Sequence, residues 1–68
     1  MVEKIFSKRL KELRIEKGLT QSELAQKVGL TQRKISKLET MQLTPSPQII
    51  ANFARYFGVS ADYFLGLE

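Results

Sequence analysis

The stretch Thr20-Gln21-Ser22-Glu23-Leu24-Ala25-Gln26-Lys27-Val28-Gly29-Leu30-Thr31-Gln32-Arg33-Lys34-Ile35-Ser36-Lys37-Leu38-Glu39 decides the fold. Thr20 can accept a hydrogen bond from the first turn of a helix, and Glu23, three residues on, can return one to the Thr20 backbone, as in a capping box. Leu24, Ala25 and Val28 then supply one apolar face, and Gly29 can take the left-handed conformation that closes a short helix. Only Leu30 separates Gly29 from the next capping residue, Thr31. A further helix runs from Gln32 to Glu39 with Ile35 and Leu38 as its apolar residues, a narrow buried seam on a mostly polar surface. Two helices joined by a turn as short as Gly29-Leu30-Thr31 cannot lie antiparallel and must cross steeply. Ala25 is small where the pair must approach, Leu30 can plug the corner, and Ile35 and Leu38 can anchor the second member to a core. Gln32, Arg33, Lys34, Ser36 and Lys37 are left facing solvent, with no acidic residue before Glu39.

Upstream, Phe6, Leu10 and Leu13 recur at helical spacing among charged residues, and Gly18 ends that helix. Downstream the periodicity lapses from Thr40 to Ser46, where Thr44-Pro45-Ser46-Pro47 marks a loop leading into a cap at Ser46 with Pro47 at the first helical position. Ile50, Phe53, Ala54 and Phe57 predict a fourth helix that stops at Gly58. Ser60 caps a short fifth element containing Tyr63, Phe64 and Leu65. No strand-like alternation, repeat or interdomain linker interrupts the pattern. The expected fold is all-α: one domain spanning residues 1–68, a compact bundle of five short helices with a helix-turn-helix formed by helices 2 and 3. Phe6, Phe53, Phe57 and Phe64 fall on apolar stripes and are expected in the core.

Composition narrows the function. The chain has 68 residues, 43% hydrophobic and 26% charged, which are globular proportions with room for one core. Cysteine and histidine are both absent. This removes disulfides, Ser-His-Asp and Cys-His catalysis, zinc fingers and most transition-metal sites, so neither an enzyme nor a metal or other cofactor is expected. Glu12, Glu16 and Glu23 are more simply surface partners of lysine than an acid-base pair. The formal charge is +4, and it is uneven: Met1 to Glu39 holds ten basic and five acidic residues, Thr40 to Glu68 one basic and two acidic. A localised positive field suits a polyanion. No apolar run is long enough for a membrane span and the start is no secretory signal, so a cytoplasmic protein without a membrane partner is expected.

The motifs Leu10-Lys11-Glu12-Leu13-Arg14, Gly18-Leu19-Thr20-Gln21-Ser22-Glu23-Leu24-Ala25-Gln26-Lys27-Val28-Gly29 and Ile35-Ser36-Lys37-Leu38-Glu39, followed by Pro45-Ser46 and Gly58-Val59-Ser60-Ala61-Asp62, stand in order and at characteristic spacing. From about Phe6 to Leu65 the chain resembles the Cro/repressor family of helix-turn-helix regulators, also called the XRE family and typified by the lambdoid phage repressors. The resemblance implies sequence-specific binding of double-stranded DNA by a transcriptional regulator, a repressor that occludes a promoter, with its third helix in the major groove. By resemblance Gln32, Arg33 and Lys37 occupy base-reading positions. Arg33 can donate two hydrogen bonds to guanine and Gln32 can pair with adenine. Gln21 matches a residue that clamps a phosphate at a helix N-terminus, and Thr20, Thr31, Lys34, Ser36 and Thr40 are further backbone-contact candidates. Arg14 and Glu39 match a structural ion pair between the first helix and the end of the third.

The loop Thr40-Met41-Gln42-Leu43-Thr44 departs from the family pattern, which begins with a polar residue and a glycine and often carries Lys or Arg. Here Met41 and Leu43 are apolar, and either pack on the core or offer an unusual contact surface. Apolar residues also gather at the C-terminal end. Tyr63, Phe64, Leu65 and Leu67 either close the core or offer a surface for a homodimer, at least on DNA, reading a two-fold symmetric operator. An alternative function is a protein-interaction module, an antitoxin or regulator subunit that uses this end and the 41–43 loop.

Overall fold

The computed structural model describes residues 2–68, which form α1 (Val2–Glu16), α2 (Gln21–Val28), α3 (Gln32–Glu39), α4 (Pro47–Phe57) and α5 (Ala61–Leu65). The fold is all-α, with no strand among the described residues. The hydroxyls of Thr20, Thr31, Ser46 and Ser60 start α2 to α5. They accept the N–H of Glu23, Lys34, Ile49 and Tyr63 at 3.0, 3.1, 3.2 and 3.1 Å, each satisfying a donor that the helix itself cannot.

All five helices also end alike. The residue after a left-handed one donates its N–H back to a carbonyl five positions earlier: Leu19 to Arg14, Leu30 to Ala25, Gln42 to Lys37, Val59 to Ala54 and Leu67 to Asp62, at 2.9–3.1 Å. The left-handed residue is glycine at 18, 29, 58 and 66, but at the end of α3 it is Met41, with φ 63°. A Cβ in that conformation crowds the following carbonyl. The α3 terminus is therefore formed at a cost the other four do not carry.

The core draws on every helix. Phe6, Leu10, Leu24, Ile35, Leu38, Phe53 and Phe64 are wholly buried. Phe6 is the hub, its ring centroid 5.9 Å from Phe53 edge-on and 5.2 Å from Phe64. Phe57 is only partly buried and stacks on Phe53 at 6.3 Å. Ser7 is buried with this core, and its hydroxyl donates to the Leu38 carbonyl at 2.5 Å, tying α1 to the last turn of α3.

Phe64 takes the core place that its apolar stripe predicts and so drops out of the candidate pairing surface at the C-terminal end: it is wholly buried against Phe6, because a five-residue helix at the edge of so small a domain has to close the core. Tyr63 is partly buried beneath Arg9, whose guanidinium lies 4.4 Å from the ring and donates to the Tyr63 carbonyl. Leu65 packs partly on the core, and Leu67 is 72% exposed. The 41–43 loop also divides: Leu43 packs partly on the core, whereas Met41 is 55% exposed. No helix among the described residues is long and apolar enough to cross a membrane.

Replacing Met41 by glycine should remove the left-handed strain and lose little packing. The expected gain is about 0.5–1 kcal/mol, after the entropy cost of glycine is set against the conformational relief. In a domain of this size that raises the thermal midpoint by roughly 3–6 °C. Calorimetry or circular-dichroism melting checks it; a lowered midpoint would mean that the Met41 side chain contributes more than its backbone costs.

Candidate nucleic-acid interface

The crossing of α2 and α3 places the first residues of the two helices, Gln21 and Gln32, side by side. Gln32 Nε2 donates to Gln21 Oε1 at 2.7 Å, and Gln21 Nε2 donates to Glu39 Oε1 at 3.0 Å. Glu39 is held in turn by Arg14, whose Nε donates to Oε2 at 2.6 Å and whose Nη2 donates to Oε1 at 3.1 Å. Arg14 Nη1 donates to the Leu19 carbonyl at 2.8 Å, which fixes the guanidinium to the α1–α2 turn. The side chains of this ion pair are 12% and 1% exposed for Arg14 and Glu39. A buried charge pair thus becomes, through the Gln21 amide, the support of the exposed Gln32 side chain at the start of α3.

The outward face of α3 carries Gln32, Arg33, Lys34 and Lys37, all exposed, with Ser36 partly buried between them. Arg33 and Lys37 are four residues apart and therefore lie on one side of the helix, one turn from each other. The two segments differ in what they can offer an anion. The hydroxyls of Thr20 and Thr31 act as acceptors in their caps and keep a proton to donate. Thr40 is placed differently: its N–H and its hydroxyl both donate to the Ser36 carbonyl, at 3.1 and 2.9 Å. It can donate to a phosphate only by giving up the latter bond.

Electrostatics modulate the start of α2. The Thr20 N–H donates to Glu23 Oε1 at 2.8 Å, completing the capping box, and this bond, more than any other contact, holds the Glu23 carboxyl below its ordinary value. Glu23 is therefore ionised at neutral pH, and this charge-assisted cap is lost only as pH falls through the lowered pKa. Its negative charge sits at the end of α2 that carries Thr20 and Gln21.

Pairwise sequence spacing did not reveal the bonds from Gln21 to Glu39 and to Gln32, which join residues 18 and 11 positions apart across a helix crossing. The available signal was glutamine at the first position of both helices. Among the described residues no group of His, Cys, Asp or Glu is arranged to hold a metal ion.

Removing the Glu39 side chain should leave Arg14 charged, mostly buried and unpaired. Glu39→Ala is expected to cost about 3–5 kcal/mol, comparable with the whole stability of a domain this small at about 0.05–0.15 kcal/mol per residue. Glu39→Gln keeps an acceptor oxygen for Gln21 and should cost less. Urea unfolding of both variants checks the order; equal losses would show that charge, not the hydrogen-bond geometry, holds the site.

Residues 10–64 match the helix-turn-helix family. The chain is 36% identical over 63 residues to the HTH-type transcriptional regulator ImmR of Bacillus subtilis (strain 168), covering 93% of this chain and 50% of that protein. It is 33% identical to an uncharacterized HTH-type transcriptional regulator, YobD, of the same organism, covering 93% of this chain and 56% of YobD. The chain thus spans about half the length of these curated relatives. Among solved structures, the hypothetical transcription factor NHTF from Neisseria superposes with a TM-score of 0.88 at 26% identity, covering 96% of this chain and 75% of that one. With the capped α2–α3 pair and the glycine-closed turn between them, these matches show that the chain belongs to the XRE-type helix-turn-helix family.

Proposed function

We propose that this domain binds double-stranded DNA in a sequence-specific manner and serves a transcriptional regulator that represses by occluding a promoter. The observation that carries the reading is the exposed start of α3, where Gln32 is held by Gln21, itself held by Glu39, while Arg33 and Lys37 project beside it. A base-reading side chain gains from being held in place before binding, because less rotamer entropy is lost on contact. Regulation of transcription is also what the names of the relatives state.

In the proposed mode α3 enters the major groove with its N-terminal half against base edges, and α2 lies across the backbone. Gln32, Arg33 and Lys37 read bases. Arg33 offers a bidentate fork to guanine and Gln32 the amide pattern that suits adenine. Gln21, Thr20, Thr31, Lys34 and Ser36 meet phosphates, with the unpartnered N–H groups of the first turn of α2 contributing to the same anion site. Thr40 joins them only if it releases the Ser36 carbonyl. Two copies on a two-fold symmetric operator would present their α3 helices about 34 Å apart. With Phe64 buried, the exposed Leu67 and the partly buried Tyr63 and Leu65 are what the C-terminal end can bring to such a homodimer.

Selection of bound duplexes from a random pool tests the proposal and reports site sequence, symmetry and half-site spacing together. Enrichment of a discrete motif is expected; an unenriched pool overturns sequence-specific binding. On the selected site, log affinity should fall linearly with log salt concentration, with a slope of about −0.9 per phosphate contacted. Arg33→Ala should relax preference at one base position by about 1–3 kcal/mol. Equal losses on selected and unrelated duplexes would instead make Arg33 a phosphate contact.

A further inference from the structure

A cleft on the flank of α3 has an apolar wall that base reading by polar side chains does not use. Thr31, Arg33, Lys34 and Lys37 line it from α3 and its cap, Leu43 lines it from the α3–α4 loop, and the volume is about 210 Å³. The four residues on the α3 side are exposed, whereas Leu43 is partly buried, packing on the core while also lining the cleft. The position of Leu43 is fixed by the way α3 ends. Left-handed Met41 reverses the chain, and the Gln42 N–H donates to the Lys37 carbonyl at 2.9 Å, so the loop is pinned to the last turn of α3.

We infer that Leu43 is a specificity-determining residue that receives the 5-methyl group of a thymine in the major groove. The inference rests on the duplex reading of Arg33 and Lys37. Both share the walls of the cleft with Leu43, so a base pair within their reach presents its edge to the cleft mouth. Of the groups that bases display in the major groove, the thymine methyl is the apolar one; the others are hydrogen-bond donors and acceptors. A donor or acceptor pressed against leucine loses its water without gaining a partner, whereas a methyl group gains by leaving water. Of the three cations on the rim, Arg33 and Lys37 are placed for base edges and Lys34 for a phosphate, a combination that suits a nucleic acid and not an apolar peptide. An apolar residue at this point of the loop thus supplies a contact that reads sequence, where a basic one would supply a contact that ignores it.

The test starts from the duplex selected as above and converts each thymine singly to uracil, which deletes only the methyl group. In the wild-type protein at least one conversion should weaken binding by about fourfold, the worth of one methyl-sized group removed from water. In Leu43→Ala, whose folding is verified by thermal melting, the same conversion should have no effect. Equal uracil effects in the two proteins, or a selected site indifferent to every conversion, overturn the inference and leave DNA binding standing. A pool that yields no selected duplex instead fails the reading on which it rests. Should Leu43→Ala unfold, proton NMR of the wild-type complex decides: a nuclear Overhauser contact between the sensitive thymine methyl and the Leu43 methyl groups supports the inference, and contacts of that methyl confined to α3 side chains overturn it.

Discussion

A carboxylate on the last residue of a helix works against that helix, whose C-terminal carbonyls already form its negative end. Glu39 occupies that position in α3, and with its side chain 1% exposed it also gives up hydration. Arg14 offsets both penalties with a two-pronged contact from α1. Such a pair adds little net stability compared with apolar residues of the same size. What it supplies is direction. The Glu39 oxygens are aimed at Gln21, Gln21 is aimed at Gln32, and the orientation of the α3 surface follows from a charge pair that is itself largely out of solvent.

The same economy governs how so short a chain stays folded. Helices of 8, 8, 11 and 5 residues are too short to persist alone in water. Each is held by a hydroxyl cap at its start, a left-handed turn at its end and one apolar face on a common core. All four glycines of the chain serve as those turns. The fifth turn falls to Met41, two residues before Leu43 in the loop that follows α3. Where backbone strain persists, the surrounding structure has to over-determine it. Here the surroundings are the Gln42 N–H on the Lys37 carbonyl, and the Ser7 hydroxyl on the neighbouring Leu38 carbonyl.

Local chemistry made most of the fold legible. The hydroxyl caps, the Glu23 capping box and the glycine at the α2–α3 turn each depend on residues within three or four positions, and each appears where the residue types call for it. Features set by packing at a distance were not legible in that way. Phe64 has the same composition signal whether it closes a core or meets a second copy, and only the proximity of Phe6 distinguishes the two. Leu43 and Met41 read alike as apolar loop residues, yet the left-handed turn sends one onto the core and leaves the other in solvent. Resemblance pointed to Arg14 and Glu39 as partners, while the continuation of their contact to Gln21 and Gln32 depends on a helix crossing that spacing constrains only coarsely.

Charge needs the same distinction between sum and placement. The formal +4 includes cations engaged within the fold: Arg14 on Glu39, Arg9 over Tyr63, and Lys17 at 5.1 Å from the Tyr56 ring. Arg33, Lys34 and Lys37 instead surround an open cleft on the one helix whose polar face is held in register by the Glu39 network. A long-range field draws in a polyanion whatever its sequence, and salt screens it within about 10 Å at 0.1 M. Discrimination between sequences requires contacts of fixed geometry at base edges. The exposed lysines of α1 can contribute to a diffuse field, whereas a contact of fixed geometry needs side chains held in place, as Gln32 is by Gln21 and Leu43 by the core.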